Sequence, residues 1–331
     1  MKSLFLGSAM EKSGKTMVAL GMALNYPGKV GYYKPFMGNL KAYPDMIADQ
    51  DAHLMKEALD LKDREDALAP FTYNIFDPVP MSEIVAAYQK VKNGYDMMLV
   101  EGTRDIVAGS LHKVSGIRIA ESIQADVVLV STAQPIALDK IAMLRRWMEN
   151  FKVNFRGVIL NRNDNPEIKP LLEGKGIKVF GSIPEVPELR QFSVRDVANE
   201  LNAEVISEEG MENRVEEIMV GAMYEEAAMK VMRRVARKAL ITGGDRSDLQ
   251  LAALTTDTAC LVLTGGMYPS NMVISKAYQV RVPILVTPHD TLETAEMIDH
   301  LIARIDPDDS RKIAKVKQVV KENVDLEAIW R

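Results

Sequence analysis

The run Gly7-Ser8-Ala9-Met10-Glu11-Lys12-Ser13-Gly14-Lys15-Thr16 constrains this chain more than any other stretch. A short apolar run, Ser3 to Gly7, leads into it. Thr16 to Asn25 follows as a helix of Ala and Leu formers, stopped by Pro27-Gly28. A strand, a glycine-containing loop and a helix in that order aim backbone N–H groups and the positive end of a helix at one point. A phosphate is stabilised there. The closing Gly14-Lys15-Thr16 is the close of a P-loop, although Ala9 stands where the strict pattern has its first glycine. In this reading Lys15 holds the β- and γ-phosphates and the Thr16 hydroxyl binds Mg²⁺. Glu11, Ser13, Gly14 and Met17 complete the expected nucleotide lining. Magnesium prefers oxygen ligands in octahedral array and keeps several waters. The apolar run Met97 to Val100 ends in Glu101-Gly102, so Glu101 reaches such an ion directly or through water.

The rest of the first half repeats the alternation. Lys29 to Tyr33 reads as a second strand. Asp49 to Leu61 and Ser82 to Asn93 read as amphipathic helices, the latter with Ile84, Val85, Tyr88 and Val91 inward and Ser82 as cap. Met97–Val100, Val127–Val130 and Gly157–Leu160 are near-continuously apolar, as strands covered on both faces are. The pattern predicts an α/β domain over residues 1–190, a doubly wound, mostly parallel sheet. Pro184 and Pro187 mark an exit loop, and residues 191–204 read as a linker.

A smaller α/β unit is expected over residues 205–308. Asn213 to Arg237 reads as one long helix, with Val215, Ile218, Met219, Ala222 and Met223 on one face. Three apolar strands end alike, in Ile241-Thr242, Leu263-Thr264 and Val286-Thr287, and Gly-Gly follows the first two. They suggest one small parallel sheet. Two readings of the glycines stand side by side. Gly243, Gly244, Gly265 and Gly266 leave N–H groups free for an anion or other small-molecule ligand, with Asp245, Arg246 and Asp290 as polar candidates, or they only make tight turns. For Arg246 and Asp290 an ion pair within the domain is the other reading. Thr291 to Ile305 closes the unit, and 309–331 reads as a charged helical tail.

Composition excludes other classes. A 331-residue chain holds about two domains. With 41 basic and 46 acidic residues its net charge is -5, against a general binder of nucleic acid or of a membrane surface. No apolar run approaches the roughly 18 residues of a membrane helix. Leu4-Phe5-Leu6, followed by Glu11 and Lys12, makes no secretory signal, so a cytoplasmic protein is expected. The single cysteine, Cys260, excludes an internal disulfide and reads as a core residue rather than a catalytic thiol. The 20 methionines read as core filler. His53, His112, His289 and His300 are scattered, and His289-Asp290 reads as turn structure.

Read together, residues 1 to about 190 resemble dethiobiotin synthetase and its P-loop relatives, including the cobyrinic acid amidating enzymes. The residues that carry the resemblance are Gly14-Lys15-Thr16, Tyr33-Lys34-Pro35, Asp51-Ala52 at a helix start, Val100-Glu101-Gly102, Gly157 to Asn161, and Gly181-Ser182-Ile183-Pro184. The resemblance implies that Lys15, Thr16, Asp51 and Glu101 form a Mg-ATP site. It implies that Lys34 faces the reacting group, that Asn161 reads adenine and that Pro184 lies near the base. The bulky, charged Thr103-Arg104-Asp105 replaces the family's small substrate loop, so ATP binding carries over better than the chemistry. The lysine of the ParA and nitrogenase-iron-protein branch is absent, with Met10 in its place, and Lys12 reads as a solvated loop charge.

Residues from about 205 to 305 resemble the DRTGG domain, through Val220-Gly221-Ala222-Met223, Thr242 to Asp248, Leu263 to Gly266, Pro269, and Pro283 to Asp290. The naming motif is partly kept, as Asp245-Arg246-Ser247-Asp248. The two units in this order resemble the N-terminal region of long phosphotransacetylases. A transacetylase domain of roughly 300 residues does not fit in the 25 or so that follow the second unit, so acetyl transfer is not expected. The resemblance implies a Mg-ATP-binding regulatory or sensor protein that forms a homo-oligomer, a dimer by analogy. The alternative is an ATP-dependent ligase or carboxylase acting by phosphoryl transfer.

Overall fold

The first sheet grows from strands whose sequences leave no polar face. The computed structural model describes residues 2–38, 40–43, 46–221, 223–302 and 304–331. Ala222 of the expected helix and the side chain of His300 lie outside the described residues. The chain divides into two units: Met1–Val186 with Ile305–Arg331, and Pro187–Arg304.

The first unit has strands β1 (Lys2–Ser8), β2 (Val30–Tyr33), β3 (Leu40–Tyr43), β4 (Met46–Asp49), β5 (Met97–Glu101), β6 (Asp126–Ser131), β7 (Phe155–Asn161) and β8 (Val179–Ile183). Its helices begin with α1 (Lys15–Asn25), α2 (Gln50–Leu59), α3 (Glu65–Leu68), α4 (Met81–Val91), α5 (Gly116–Ser122), α6 (Pro135–Met148) and α7 (Ile168–Gly174). The six-stranded sheet runs β2-β5-β1-β6-β7-β8 and is parallel throughout. Phe5, Val100, Leu129 and Leu160 alternate onto one face and pack with Ile84, Ile117 and Ile141. Helix α1 covers β1 and β5. β1 is central, so its carboxyl end, where the Gly14 loop begins, is flanked by the ends of β5 and β6. Ser82 does not cap α4: the cap position is Pro80, and Ser82 already lies inside the helix.

The second unit begins with β9 (Phe192–Ser193), α8 (Val194–Glu200), β10 (Glu204–Val205), β11 (Arg214–Val215), β12 (Glu217–Val220) and α9 (Glu225–Met232). It continues through β13 (Lys238–Gly243), α10 (Ser247–Ala253), β14 (Thr258–Thr264), α11 (Asn271–Val280), β15 (Ile284–Val286) and α12 (Thr291–Ile302). Its sheet runs β10-β15-β14-β13-β12, with β10 antiparallel to β15 and the other pairs parallel.

Two expectations are corrected here. The long helix from Asn213 to Arg237 is two strands and a shorter helix. Val215, Ile218 and Val220 are β-branched and favour strand, and β12 pairs in register with β13, Val220 opposite Ile241. Residues 191–204 are structured rather than a linker. The Ser193 side chain accepts from Asp196 N while the Asp196 carboxylate accepts from Ser193 N, a capping box that starts α8. Val194, Val197 and Leu201 then enter the second core.

The tail is part of the first unit, as α13 (Ser310–Asn323) and α14 (Leu326–Trp330). Helix α13 lies against α1, where a Cβ on Gly21 would come 2.3 Å from Val320 Cγ2. Asn25 Nδ2 donates to Gly21 O at 2.7 Å and to Lys317 O at 2.8 Å. Asp325 N donates to Phe180 O on β8 at 2.7 Å. The second unit is therefore inserted between β8 and α13.

Candidate functional site

The loop after β1 holds its shape through carbonyls and offers its N–H groups. Gly14 takes φ +83°, the left-handed region, and a Cβ there would come 2.2 Å from Asn161 Nδ2. Ser13 Oγ donates to Met10 O at 2.5 Å. From the end of β7, Asn161 Nδ2 donates to Ser13 O at 2.9 Å, and from the residue after it Arg162 Nη2 donates to Lys12 O. Among the described residues, the backbone N–H groups of Ser13, Gly14, Lys15 and Thr16 have no acceptor. Four successive unpaired donors at the start of α1 form an anion cradle.

Lys15 is buried beneath that cradle. Its Nζ donates to Ser8 Oγ at 3.0 Å and to Arg104 O at 2.7 Å. Burial pushes its ammonium down, with Glu101 offsetting part of the shift. Arg104 belongs to the bulky segment after β5 and adopts φ +53°. Its guanidinium lies 3.9 Å from Glu11, an exposed pair worth little. Met17 is half-buried on α1, and Pro184 is half-buried just beyond β8.

Thr16 Oγ1 donates to Glu101 Oε1 at 2.6 Å, and Tyr32 OH donates to Glu101 Oε2 at 2.8 Å. Burial, then the nearby Asp51 charge, raises the Glu101 carboxyl to about 7. Lys34 is not free to face a reacting group. Its Nζ contacts Asp49 at 3.0 and 2.9 Å and Asp51 Oδ2 at 2.5 Å. Burial opposes that ammonium, but Asp51 and Asp49 hold it above its ordinary range.

Asp49 does more: its carboxylate caps α2 by accepting from Asp51 N and Ala52 N, and it accepts from Gly38 N at 2.7 Å. Thr16, Asp51 and Glu101 thus converge as hard oxygen donors with surplus negative charge, a set that fits Mg²⁺. Tyr32 and Asp49 escape sequence reasoning. Tyr32 reads as strand filler in an apolar run, and Asp49 as an ordinary helix start. His53, Glu57 and Glu65 also converge, within 4.8 Å, but Lys56 Nζ stands 3.1 Å from Glu57 and 3.3 Å from Glu65.

The Gly-Gly turns of the second unit are closed to an anion at one end. Gly265 N donates to His289 O and Gly266 N to Thr287 O, each at 2.9 Å. At the other turn Gln250 Nε2 donates to the carbonyls of Gly243 and Gly244, at 2.9 and 3.1 Å. Gln250 is fully buried and its Oε1 has no partner among the described residues. Arg246 forms a two-point ion pair with Asp248, at 3.0 and 2.9 Å, and not with Asp290. Asp290 instead accepts from Glu293 N at 2.9 Å at the start of α12. His289 pairs with Glu293 at 3.0 Å, and Asp245 is exposed. Cys260 is buried, which pushes its thiol up to about 12.

Comparison with known proteins places both units. Residues 2–193 match the family model described as an AAA domain. The chain belongs to this AAA domain family. Residues 196–301 match the DRTGG domain. Curated relatives of this AAA–DRTGG chain include the phosphate acetyltransferase of Pseudomonas putida, 27% identical over 100% of this chain and 51% of the relative. The phosphate acetyltransferase of Nitratidesulfovibrio vulgaris is 25% identical over 98% of this chain and 50% of the relative. The chain spans about half the length of these relatives, and it is their N-terminal region that it resembles.

Among solved structures, a ParA family ATPase from Chlorobium tepidum is similar over 57% of this chain and 87% of its own (TM-score 0.40, 16% identity). The CBS and DRTGG domains of the Clostridium perfringens pyrophosphatase regulatory region are similar over 49% of this chain and 85% of theirs (TM-score 0.31, 18% identity).

Proposed function

We propose that the AAA–DRTGG chain is a regulatory or sensor module that binds a magnesium–nucleotide in its first unit and a small-molecule ligand through its second. One observation carries the reading: the four unpaired N–H groups from Ser13 to Thr16 stand beside buried Lys15 and the Thr16–Glu101 contact. ATP is the nucleotide that the resemblance to dethiobiotin synthetase implies. Thr16, Asp51 and Glu101 would hold the Mg²⁺, which when bound neutralises phosphate charge. Lys15 would leave Arg104 O for the β- and γ-phosphates.

A binding role is favoured over phosphoryl transfer because Lys34 is already neutralised by Asp49 and Asp51. The module would act in the cytoplasm as a homodimer, in which case light scattering gives twice the mass of one chain. Among the described residues no helix is long and apolar enough to cross a membrane.

The test is a thermal-shift series with ATP, ADP, GTP and CTP plus magnesium. A nucleotide at 100 times its Kd stabilises by about 2.7 kcal/mol. A flat response to all four rejects the module. Phosphate release with a panel of carboxylic acids, amines and bicarbonate, abolished by Glu101→Gln, would install the ATP-dependent ligase in its place.

A further inference from the structure

The segment that follows β5 is tied down on both sides of Arg104. Gly102 N donates to Leu6 O at 2.9 Å and Ile106 N to Ser8 O at 2.8 Å, so both ends are fixed to β1. Thr103 Oγ1 donates to Phe36 O, and Asp105 Oδ1 accepts from Val107 N and Ala108 N at 3.2 and 2.9 Å. Between these anchors the Arg104 guanidinium is exposed. The Arg104 carbonyl is held by the phosphate site itself, accepting from Lys15 Nζ at 2.7 Å and from Ser8 Oγ at 3.0 Å. At φ +53° Arg104 is in the left-handed region, which a residue with a Cβ keeps only where its surroundings impose it.

Resting on the nucleotide site proposed above, we infer that Arg104 is an autoinhibitory latch: its carbonyl competes with phosphate for Lys15, and nucleotide binding releases it to an ordinary backbone of negative φ. A lysine ammonium has three donors. Lys15 uses one on Ser8 Oγ, at 3.0 Å, and one on Arg104 O. Contact with both the β- and γ-phosphates takes two, so one of these bonds has to be given up. Ser8 is fully buried on β1 and paired with Val130 of β6, whereas Arg104 sits on a loop. The Arg104 carbonyl is therefore the partner that yields. The anchors at Gly102, Thr103, Asp105 and Ile106 involve neither Lys15 nor Ser8 Oγ, so they survive the release and confine it to one residue. Part of the binding free energy goes into breaking the latch, and whatever favours positive φ at position 104 weakens nucleotide binding.

The experiment varies the backbone preference at this one position among uncharged side chains. Arg104→Gly, Arg104→Ala and Arg104→Val in the full chain are titrated calorimetrically, beside the wild type, with magnesium and the non-hydrolysable ATP analogue AMPPNP. Glycine takes positive φ freely, alanine at a cost and a β-branched residue least readily. Affinity should run Val, Ala, Gly from tightest to weakest, with Gly roughly five- to tenfold below Ala. The ligand-free melting temperature should run the other way, highest for Gly and lowest for Val. A residue that only shapes the loop would move the melting temperature and leave affinity alone. If the three variants bind equally, Arg104 keeps its conformation in the complex, and if Gly binds most tightly, the strain lies in the complex instead. Either result overturns the latch while the nucleotide site stands. If the wild type and all three variants fail to bind, the site itself is rejected and the latch falls with it.

Discussion

Two regions of this molecule put glycine at the carboxyl ends of parallel strands, and they use it in opposite ways. After β1, Gly14 lets the chain turn so that N–H groups of the loop and of α1 stay unpaired while neighbouring carbonyls are held from behind. After β14, Gly265 and Gly266 turn their N–H groups back onto the loop after β15. A glycine pair at a strand end is therefore not in itself a ligand cradle. What decides is whether an adjacent loop supplies acceptors. In the first unit the side chains of β7 take up carbonyls instead and leave the donors free.

The contrast can be broken by substitution, with the largest effect in the second unit. A Cβ on Gly244 would lie 2.0 Å from Met267 O, backbone against backbone. Gly244→Ala should cost about 3 kcal/mol or more in denaturant unfolding, yet leave the nucleotide-induced shift of the first unit in place. Loss of that shift as well would mean the two units do not unfold separately.

The second effect belongs to the first site. Between about 4.5 and about 7 the folded chain keeps a proton on Glu101 that the unfolded chain has released. Stability of the metal-free protein should fall as pH rises through that window, by on the order of 3 kcal/mol, and Glu101→Gln should flatten the slope. A slope of the opposite sign, from equilibrium melts across pH, would remove the buried carboxylate from the account.

Lys15→Ala should erase the nucleotide-dependent stabilisation, about 2.7 kcal/mol at 100 times Kd, in the same thermal-shift assay. The smallest effect is expected at Gly266, which has open space around its Cβ position and φ +65°. Gly266→Ala should cost only the left-handed strain, roughly 1 kcal/mol. A much larger loss there would show that the turn holds more than its own shape.

The parts legible in the sequence are those where local pattern and tertiary role coincide. Gly14-Lys15-Thr16 and the apolar strand ending in Glu101 declare themselves by spacing, and the parallel sheet follows from runs buried on both faces. The illegible parts depend on partners distant in the chain. Nothing near Lys34 says that Asp49 will satisfy it, because Asp49 reads as a helix cap and is one. Tyr32 becomes informative only when β2 and β5 pair and bring its hydroxyl to Glu101. Residues 213–237 mislead because an apolar face at helical spacing runs through them, while the β-branched Ile218 and Val220 are drawn into the sheet by pairing with β13. The Gly-Gly turns required knowledge of the β15 loop, which no spacing within them reveals.

The insertion of the second unit between β8 and α13 sets an order of events during synthesis. The P-loop is made before the second unit, but Gly21 of α1 waits for Val320 to cover it. The first unit is thus begun before the second and finished after it, and a nascent chain must carry an incomplete nucleotide-site helix past the whole second unit. A fragment ending near residue 190 would hold every phosphate-loop residue and still leave the back of α1 uncovered.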